Sequence, residues 1–348
     1  MSDFKINSIA TKQGQHGPVI AGVSTVNSTG CMKIPSGPTE FRGGRGRGVF
    51  ASGFSGAAPS PANLVDTMDF IEIATAGDAV DFGDQTRSAY QQASVSSSTR
   101  GITIGGANPS GSLSSMQYVT ISSQGGGNTF GDLRQATTHA AGASNNTRGI
   151  IGGGYETPLY FSTIDFVTIA TTGNTNSFGE LSENKWYAGN GRASTTRMLF
   201  IGGATPTNLN GIEFVEIATL GNSQDFGELV NTLKGYGMGC VNCQSSTRTV
   251  TMGGWDGSSD RNDIQFITFA TKGNSTDFGN LLATVRGGGS NSNTTRGVLG
   301  GGREPTQVNT IQFITFATTG DSTNFGDLTS IRAFNCAGMS DAHGGIGL

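Results

Sequence analysis

Charged residues are scarce in this sequence of 348 residues: 13% are Asp, Glu, Lys or Arg, and the formal net charge is −4 at pH 7. No block of one charge sign occurs, which argues against binding of nucleic acid through a broad electrostatic surface. No apolar run of about 18 residues is present, so no membrane span is expected. The start, Met-Ser-Asp-Phe-Lys-Ile, lacks the pattern of a secretory signal, and we expect folding in a cytoplasm.

Histidine and cysteine are also rare, with three and four residues respectively. His16, His139 and His343 lie far apart, and His139 stands alone among small residues, which favours a packed or hydrogen-bonded side chain. Cys240 and Cys243 have zinc-ligand spacing, but no second pair accompanies them, so we expect buried thiols that fill small spaces. The glycine-rich strings lack the context of a phosphate loop. These absences predict a protein that is not an enzyme and has no cofactor or metal.

A repeated unit is what the sequence does contain. Its best example runs from Thr295-Arg-Gly-Val-Leu-Gly-Gly-Gly302, through an apolar stretch ending in Ala-Thr-Thr-Gly320, to Asn324-Phe-Gly-Asp-Leu328. Starts of the unit follow one another at intervals of 47 to 53 residues, at Arg47, Arg100, Arg148, Arg197, Arg248, Arg296 and a degenerate copy at His343.

Each unit has the length and pattern of four short strands, which is the size of one β-propeller blade. The first strand is rich in Gly, Ala, Ser and Asn, as crowding around a central axis requires. The third strand, exemplified by Phe166, Val167 and Ile169, is apolar on both faces. Burial of both faces is expected when each sheet packs between two neighbours.

The two ends of the chain both carry parts of a further unit. Asp3 to Thr11 resembles a third strand, and Phe334 to Leu348 resembles a first and a second strand. Pairing them would close a ring without open edges. We therefore predict an all-β fold, a seven-bladed β-propeller of four-stranded blades, with residues 1–348 as a single domain. Residues 14–46 exceed the period; they are either a docking hairpin for a partner protein or an elongated loop at the closure.

The double glycine, the apolar strand ending in Thr and the aromatic residue followed by Leu together resemble the kelch repeat over nearly the whole chain. The usual Trp of that repeat is Phe in Phe-Gly-Asp-Leu, and its usual Tyr is absent. The repeat is also similar to repeats in structural proteins of tailed phages, marine ones especially. The resemblance lies in three sequence motifs: Thr-Arg-Gly-Ile/Val-x-Gly-Gly, Ile-Ala-Thr-Thr-Gly-Asn and Phe-Gly-Asp-Leu. The kelch resemblance implies only the fold, because propellers have many functions.

Recurrent charges have two interpretations. The arginines that open the second strands and the carboxylates that follow Phe-Gly either line a ring of ligand sites or make Arg–carboxylate and Arg–backbone bonds between strands or blades. Recurrence in nearly every unit favours the structural role. Arg42-Gly-Gly-Arg-Gly-Arg-Gly48 resembles an RNA-binding RGG box, but Arg47 is in register with the other unit starts, which favours a strand.

The units differ most between their second and third strands, and these connections should all emerge on one face of the ring. Loops on a rigid scaffold often carry binding specificity. Aromatic and charged side chains in them could bind a sugar or a protein, or could cover the blade tops. The candidate ligand-binding residues are Tyr155, Tyr160, Phe161, Trp255, Asp256 and Arg303.

These observations together predict a virion structural protein of a bacteriophage, as part of a tail, a tail fibre or a capsid decoration. Its expected partners are other virion proteins and a host-surface glycan, with no nucleic acid and no membrane insertion. It would be made in the host cytoplasm and released by lysis. The alternatives are a cellular kelch-like interaction adaptor and, with less support, a glycan-active enzyme.

Overall fold

The computed structural model describes residues 46–56, 63–186, 191–205, 207–230, 241–333 and 337–342. Six antiparallel four-stranded sheets in these ranges form the blades of a β-propeller. The all-β propeller and the four strands of each blade are therefore confirmed. The predictions for residues 3–11 and 14–45 lie outside the described residues.

Blades 1 to 3 follow one another along the chain. Their strands are β1 (Arg47–Phe54), β2 (Leu64–Glu72), β3 (Val80–Asp84), β4 (Ala93–Ser96), β5 (Arg100–Ile104), β6 (Ala107–Asn108), β7 (Gly111–Ser112), β8 (Ser115–Thr120), β9 (Asn128–Asp132), β10 (Ala141–Ser144), β11 (Arg148–Gly152), β12 (Tyr155–Glu156), β13 (Leu159–Tyr160), β14 (Thr163–Thr168) and β15 (Asn176–Glu180).

Blades 4 to 6 and one closing strand complete the fold. Their strands are β16 (Arg192–Ala193), β17 (Arg197–Ile201), β18 (Ala204–Thr205), β19 (Thr207–Asn208), β20 (Gly211–Glu216), β21 (Gln224–Glu228), β22 (Val241–Gln244), β23 (Arg248–Trp255), β24 (Asp260–Thr268), β25 (Thr276–Asn280), β26 (Gly289–Ser292), β27 (Arg296–Gly300), β28 (Arg303–Glu304), β29 (Thr306–Gln307), β30 (Thr310–Thr315), β31 (Thr323–Asp327) and β32 (Ala337–Ser340).

The prediction of seven blades is wrong, because the ring has six. Strand β32 does not open a seventh unit; it pairs with β1 as the innermost strand of blade 1, giving the order β32-β1-β2-β3. Ser340 then donates its backbone N–H to the Ser96 hydroxyl of blade 2, and Ser94 donates its hydroxyl to the Gly338 carbonyl. The inner strand of blade 1 thus comes from the C-terminal part of the chain.

Crowding at the axis explains the small residues of the inner strands. A Cβ atom on Gly338 would lie 1.9 Å from the Ser290 carbonyl oxygen of the neighbouring blade, and one on Gly142 would lie 2.7 Å from the Ser94 oxygen. Both distances are far below van der Waals contact, so these positions exclude any side chain. The prediction that axial crowding demands small residues is confirmed.

The recurrent arginines join each blade to the next. Arg100 of blade 2 donates from Nη1 to the carbonyls of Ile169 and Ala170 in blade 3, at 3.1 and 2.8 Å. Its guanidinium also stacks over the Tyr118 ring of its own third strand, 4.5 Å from the centroid. The same carbonyl bonds are made by Arg47, Arg148, Arg197 and Arg296.

These arginine contacts decide between the two interpretations of the recurrent charges. The arginines donate to backbone carbonyl oxygens of the adjacent blade. This agrees with the predicted Arg–backbone bonds between blades. Carboxylates also take part, but they belong to third strands: Arg197 Nε lies 2.7 Å from Glu216. A stacked cation typically contributes about 0.5–1 kcal/mol at an exposed site, and here the contribution is repeated around the ring.

The Phe-Gly pair and the Gly-Asn turn form a second contact between blades. Gly173 donates its N–H to the Phe130 carbonyl at 2.8 Å, and Asn174 Oδ1 accepts the N–H of Asp132 at 2.9 Å. Gly131 is at the centre of this contact, because a Cβ atom there would lie 2.2 Å from the Gly173 oxygen. The recurrence of the Phe-Gly pair in the sequence thus reflects a backbone contact that excludes a side chain at Gly131, and the recurrent Asn of Thr-x-Gly-Asn supplies the accepting oxygen.

A third contact was missed by the sequence analysis. The third strands were predicted to be apolar on both faces, but each has one polar side chain buried among its apolar ones. In blade 3 Asp165 accepts from Arg134 of blade 2, and in blade 4 Glu213 pairs with Lys185 of the preceding segment. The equivalent residues are Asp69, Gln117, Asp165, Glu213, Gln265 and Gln312.

The Gly131 contact can be tested against a matched glycine. Gly131 and Gly173 have nearly the same backbone angle, φ +158° and +157°, but a Cβ atom on Gly173 meets nothing within 4 Å. We expect Gly131→Ala to lower the free energy of unfolding by about 1–3 kcal/mol more than Gly173→Ala, because only the former is overpacked. Urea unfolding of both variants measures this difference, and equal losses would contradict the account.

Ring closure depends on a buried carboxylate. Asp341 directly follows β32, and its Oδ1 accepts the backbone N–H of Arg47 at 2.6 Å. Burial raises the pKa of Asp341 to about 6 from its ordinary value of 3.8. The folded protein therefore retains a proton between these pH values that the unfolded chain has lost, and this group's contribution to stability falls as the pH rises through that window.

Asp341→Asn should remove this pH dependence while keeping the oxygen that accepts from Arg47. Between pH 4 and pH 7 the wild type should lose about 2–3 kcal/mol relative to the variant, since one pKa unit corresponds to about 1.4 kcal/mol. Unfolding free energies of both proteins across this range measure the difference. Parallel pH profiles would show that Asp341 has no raised pKa.

Candidate functional site

The connections between the second and third strands lie at the same end of every blade, as predicted. We call this side of the ring the hairpin face. Blades 2, 3, 4 and 6 carry a separate two-stranded hairpin there, formed by β6-β7, β12-β13, β18-β19 and β28-β29. In blades 1 and 5 the main strands β1-β2 and β23-β24 continue into the connection through a bulge.

A second set of residues also reaches the hairpin face. These residues lie just before the inner strands and form isolated β-bridges with the hairpin of their own blade; examples are Tyr90 with Ala107, Trp186 with Ala204, and Arg286 with Arg303. Their side chains also contact the connection of the preceding blade, where their partners are Phe54, Tyr155 and Trp255, respectively. We call the boundary between two adjacent blades on this face a seam.

Aromatic residues alternate around the hairpin face. The position after the recurrent double-glycine site is aromatic in blades 1, 3 and 5, but not in blades 2, 4 and 6. In blade order these residues are Phe54, Ala107, Tyr155, Ala204, Trp255 and Arg303. At the seams between blades 1 and 2, 3 and 4, and 5 and 6, the blade that comes first in the sequence therefore has an aromatic side chain at this position.

Among the described residues, the seam between blades 3 and 4 holds the largest aromatic group. The rings of Tyr155 and Tyr160 have centroids 5.2 Å apart, and Tyr155 lies 6.3 Å from Trp186. Trp186 is buried, whereas both tyrosines are half-buried. His139 packs edge-on against Trp186 at 4.5 Å and its Nδ1 lies 2.8 Å from the Thr138 hydroxyl, so the histidine is packed and hydrogen-bonded as predicted.

Phe161 contributes to this seam through its backbone. Its N–H donates to the Gly154 carbonyl and its own carbonyl accepts from Lys185, both at 3.0 Å. These bonds hold the end of the β12-β13 hairpin against the chain that enters blade 4. The half-buried ring of Phe161 follows Tyr160 directly in sequence.

Charged residues complete the seam between blades 5 and 6. Trp255 is half-buried, and the Arg286 guanidinium lies over its ring, 4.4 Å from the centroid. Arg286 Nε is 2.9 Å from Asp260 Oδ1. Burial lowers the pKa of Arg286; the Asp260 charge opposes this shift and the Arg303 charge adds to it. The guanidinium is thus fixed between a ring and a carboxylate.

Asp256 and Arg303 have local structural partners in this seam. Asp256 Oδ1 accepts the N–H groups of Ser258 and Ser259, both at 2.7 Å, and these bonds lower the pKa of the carboxyl. Arg303 Nε donates to the Pro305 carbonyl at 2.9 Å. Asp256 therefore shapes the tip of the hairpin, and both side chains remain partly exposed.

The structure thus brings Tyr155, Tyr160 and Phe161 together at one seam, and Trp255, Asp256 and Arg303 at or beside another. A smaller group at the seam between blades 1 and 2 pairs Phe54 with Tyr90, whose centroids are 4.8 Å apart. The sequence analysis missed Phe54, Tyr90, Trp186 and Arg286. The register of the double-glycine positions could have indicated Phe54, but the other three come from connections between blades.

Cys243 is buried in strand β22, as predicted, and burial raises the pKa of its thiol to about 12. Cys240 lies outside the described residues. Within the described ranges, no group of three or more His, Cys, Asp or Glu side chains is placed to hold a metal ion. The same ranges contain no helix with the length and apolarity to cross a membrane.

The sequence matches no protein-family model, and a search of curated proteins finds no similar sequence. The β-propeller that the kelch-like resemblance implied is present in the structure. The likeness to phage structural proteins has no support from these comparisons.

Proposed function

We propose that this protein is a non-enzymatic binding propeller displayed on a phage particle, with the hairpin face as its binding surface. The observation that carries the proposal is the set of half-buried aromatic side chains at alternate seams of that face. Rigid aromatic rings backed by other buried side chains are typical anchors in binding sites. The candidate ligands are a glycan of the host surface or a protein partner.

The contrast between the two faces supports this choice. On the opposite face, the turns recur because they make the same contacts with the preceding blade, as Gly173 and Asn174 do. The hairpins carry fewer of these constraints and differ in length and chemistry from blade to blade. Variable connections on a uniform rigid ring are where recognition can diversify without cost to the fold.

The location on a phage particle is proposed because the sequence motifs of the repeat resemble those of phage structural proteins. Immunogold electron microscopy of lysate particles, with an antibody against the recombinant propeller, tests it. Label on tails or fibres would support attachment, and label over the head would support a capsid decoration. Absence of label from all particles would overturn the virion proposal and favour a cellular adaptor.

Substitutions at two seams test the binding surface. On an array of bacterial surface polysaccharides, we expect the purified protein to bind at least one glycan. Tyr160→Ala and Trp255→Ala should each weaken that binding by about tenfold or more, because each removes an anchoring ring. Tryptophan fluorescence, to which the half-buried Trp255 and the buried Trp186 both contribute, provides a second titration signal in the Tyr160 variant.

Leu220→Ser is the matched control, since this side chain is 61% exposed and lies in the turn between β20 and β21 on the opposite face. It should leave glycan binding unchanged. Unfolding midpoints of all three variants identify any loss due to instability. Equal binding by wild type and both aromatic variants would contradict the assignment of the hairpin face, and no binding to any glycan would favour a protein ligand.

A further inference from the structure

The β-bridge between Arg286 and Arg303 places two like charges opposite each other. Arg286 donates its backbone N–H to the Arg303 carbonyl at 3.2 Å, and Arg303 donates its N–H to the Arg286 carbonyl at 2.9 Å. The two residues therefore form a hydrogen-bonded antiparallel pair, in which both side chains leave the bridge on the same side. Like charges directly opposite each other in such a pair are destabilising.

The fold does not require charges at this bridge. The other described bridges of this kind pair uncharged residues, and in blades 2 and 4 the equivalent pairs are Tyr90 with Ala107 and Trp186 with Ala204. Blade 6 has two guanidiniums where those blades have an aromatic residue and an alanine. Because the same bridge forms without them, the two arginines need an explanation other than the architecture of the ring.

The described carboxylates of the seam between blades 5 and 6 are already paired with other cations. Asp260 Oδ1 lies 2.9 Å from Arg286 Nε. Arg261 pairs with two carboxylates, since its Nε lies 2.8 Å from Asp263 and its Nη1 lies 3.6 Å from Asp256. These acidic side chains therefore do not neutralise a further cation.

Arg303 is the cation that remains at this seam. Its Nε donates to the Pro305 carbonyl at 2.9 Å, and no described carboxylate forms an ion pair with its guanidinium. The side chain is partly exposed. Its charge also acts on Arg286, whose pKa it lowers in addition to the effect of burial. A guanidinium in this setting can present two parallel N–H groups, the geometry that matches a carboxylate.

The ring of Trp255 provides an apolar surface beside this cation. The Arg286 guanidinium lies over the ring, 4.4 Å from its centroid, and thereby fixes the ring in place, while part of Trp255 stays exposed. An aromatic surface packs well against the C–H face of a pyranose ring. One guanidinium beside one aromatic ring suits a sugar with one acid group, whereas an acidic peptide would present several carboxylates and require several cations.

The seam between blades 3 and 4 has aromatic residues but no comparable cation. Lys185 lies in this seam, but its side chain is only 3% exposed and pairs with Glu213. The positions equivalent to Arg286 and Arg303 are Trp186 and Ala204. Recognition of an acid group on the hairpin face is thus expected at the seam between blades 5 and 6.

We propose that the seam between blades 5 and 6 binds a carboxylate-bearing sugar, such as a uronic acid of a surface polysaccharide, with Arg303 bound to the carboxylate and Trp255 packed against the sugar ring. This inference rests on the proposed function, glycan binding by the hairpin face, and specifies the class of glycan. The ligand carboxylate would also offset the repulsion between Arg286 and Arg303, so the like-charge pair is unfavourable only in the unbound protein.

The test uses the complete protein and pairs of polysaccharides that differ only in their acid groups. Each pair consists of a bacterial capsular polysaccharide with uronic acid residues and the same polymer after chemical conversion of its carboxylates to primary alcohols. By biolayer interferometry, the wild type should bind the acidic member of at least one pair about tenfold or more tightly than the converted member. Arg303→Gln should remove this preference by weakening only the binding of the acidic polymer.

Lys272→Gln is the matched control, because it removes one positive charge from the exposed turn between β24 and β25 on the opposite face. This variant should keep the preference for the acidic polymer. The unfolding midpoint of Arg303→Gln should equal or exceed that of the wild type, since the variant loses a like-charge contact. The wild-type comparison of the two polymers does not depend on either variant.

The possible outcomes separate this inference from the proposed function. Equal affinity of the wild type for both members of every pair would overturn the inference and leave glycan binding by the hairpin face standing. Absence of binding to every polysaccharide, acidic or neutral, would overturn both. Binding to immobilised polyglutamate alone would assign the seam to an acidic protein instead, and a preference that survives in Arg303→Gln would overturn the role of this seam.

Discussion

The structure depends on one relationship, in which each blade completes its hydrogen bonds with the next blade. A guanidinium at the start of each second strand stacks on its own sheet, and in most blades it is seen to donate to two carbonyls of the neighbouring sheet. The boundary between blades 6 and 1 follows the same rule, since Arg296 of blade 6 donates to Ile73 and Ala74 of blade 1. Because no blade is complete alone, the strand supplied by residues 337–340 matters to the whole ring, and Asp341 directly after it accepts the backbone N–H of Arg47 in blade 1.

This dependence explains the distribution of sequence variation within the chain. Positions such as Gly131 and Asn174 recur from blade to blade because they contact the adjacent backbone directly. The connections on the hairpin face lack this uniform role and can carry different side chains. Their aromatic residues nevertheless alternate by blade, and the proposed binding function uses this arrangement of separated, similar sites. Several weak contacts on one rigid ring can together give strong attachment to a repetitive ligand.

The inner strands show how strictly the axis limits side-chain size, and they also contain the clearest exception. Glycine is required at Gly338 and Gly142 by the approach of neighbouring carbonyls. Arg192 nevertheless has room for a guanidinium, because its partners across the axis are a backbone carbonyl and a serine.

The sequence by itself determined the repeat, the four strands of each blade, the crowded inner strand and the side of the ring on which Tyr155 and Trp255 lie. These features depend on local pattern, which repeats with the chain. Only the tertiary structure decided the number of blades, because β32 resembles the inner strand of any unit and its pairing with β1 joins segments almost 300 residues apart. The buried Glu213, and the positions of Trp186 and Arg286 beside the hairpins of preceding blades, were likewise invisible in the sequence. Their roles are set by contacts between sheets. A local pattern that repeats along the chain does not specify which residues of neighbouring sheets come into contact.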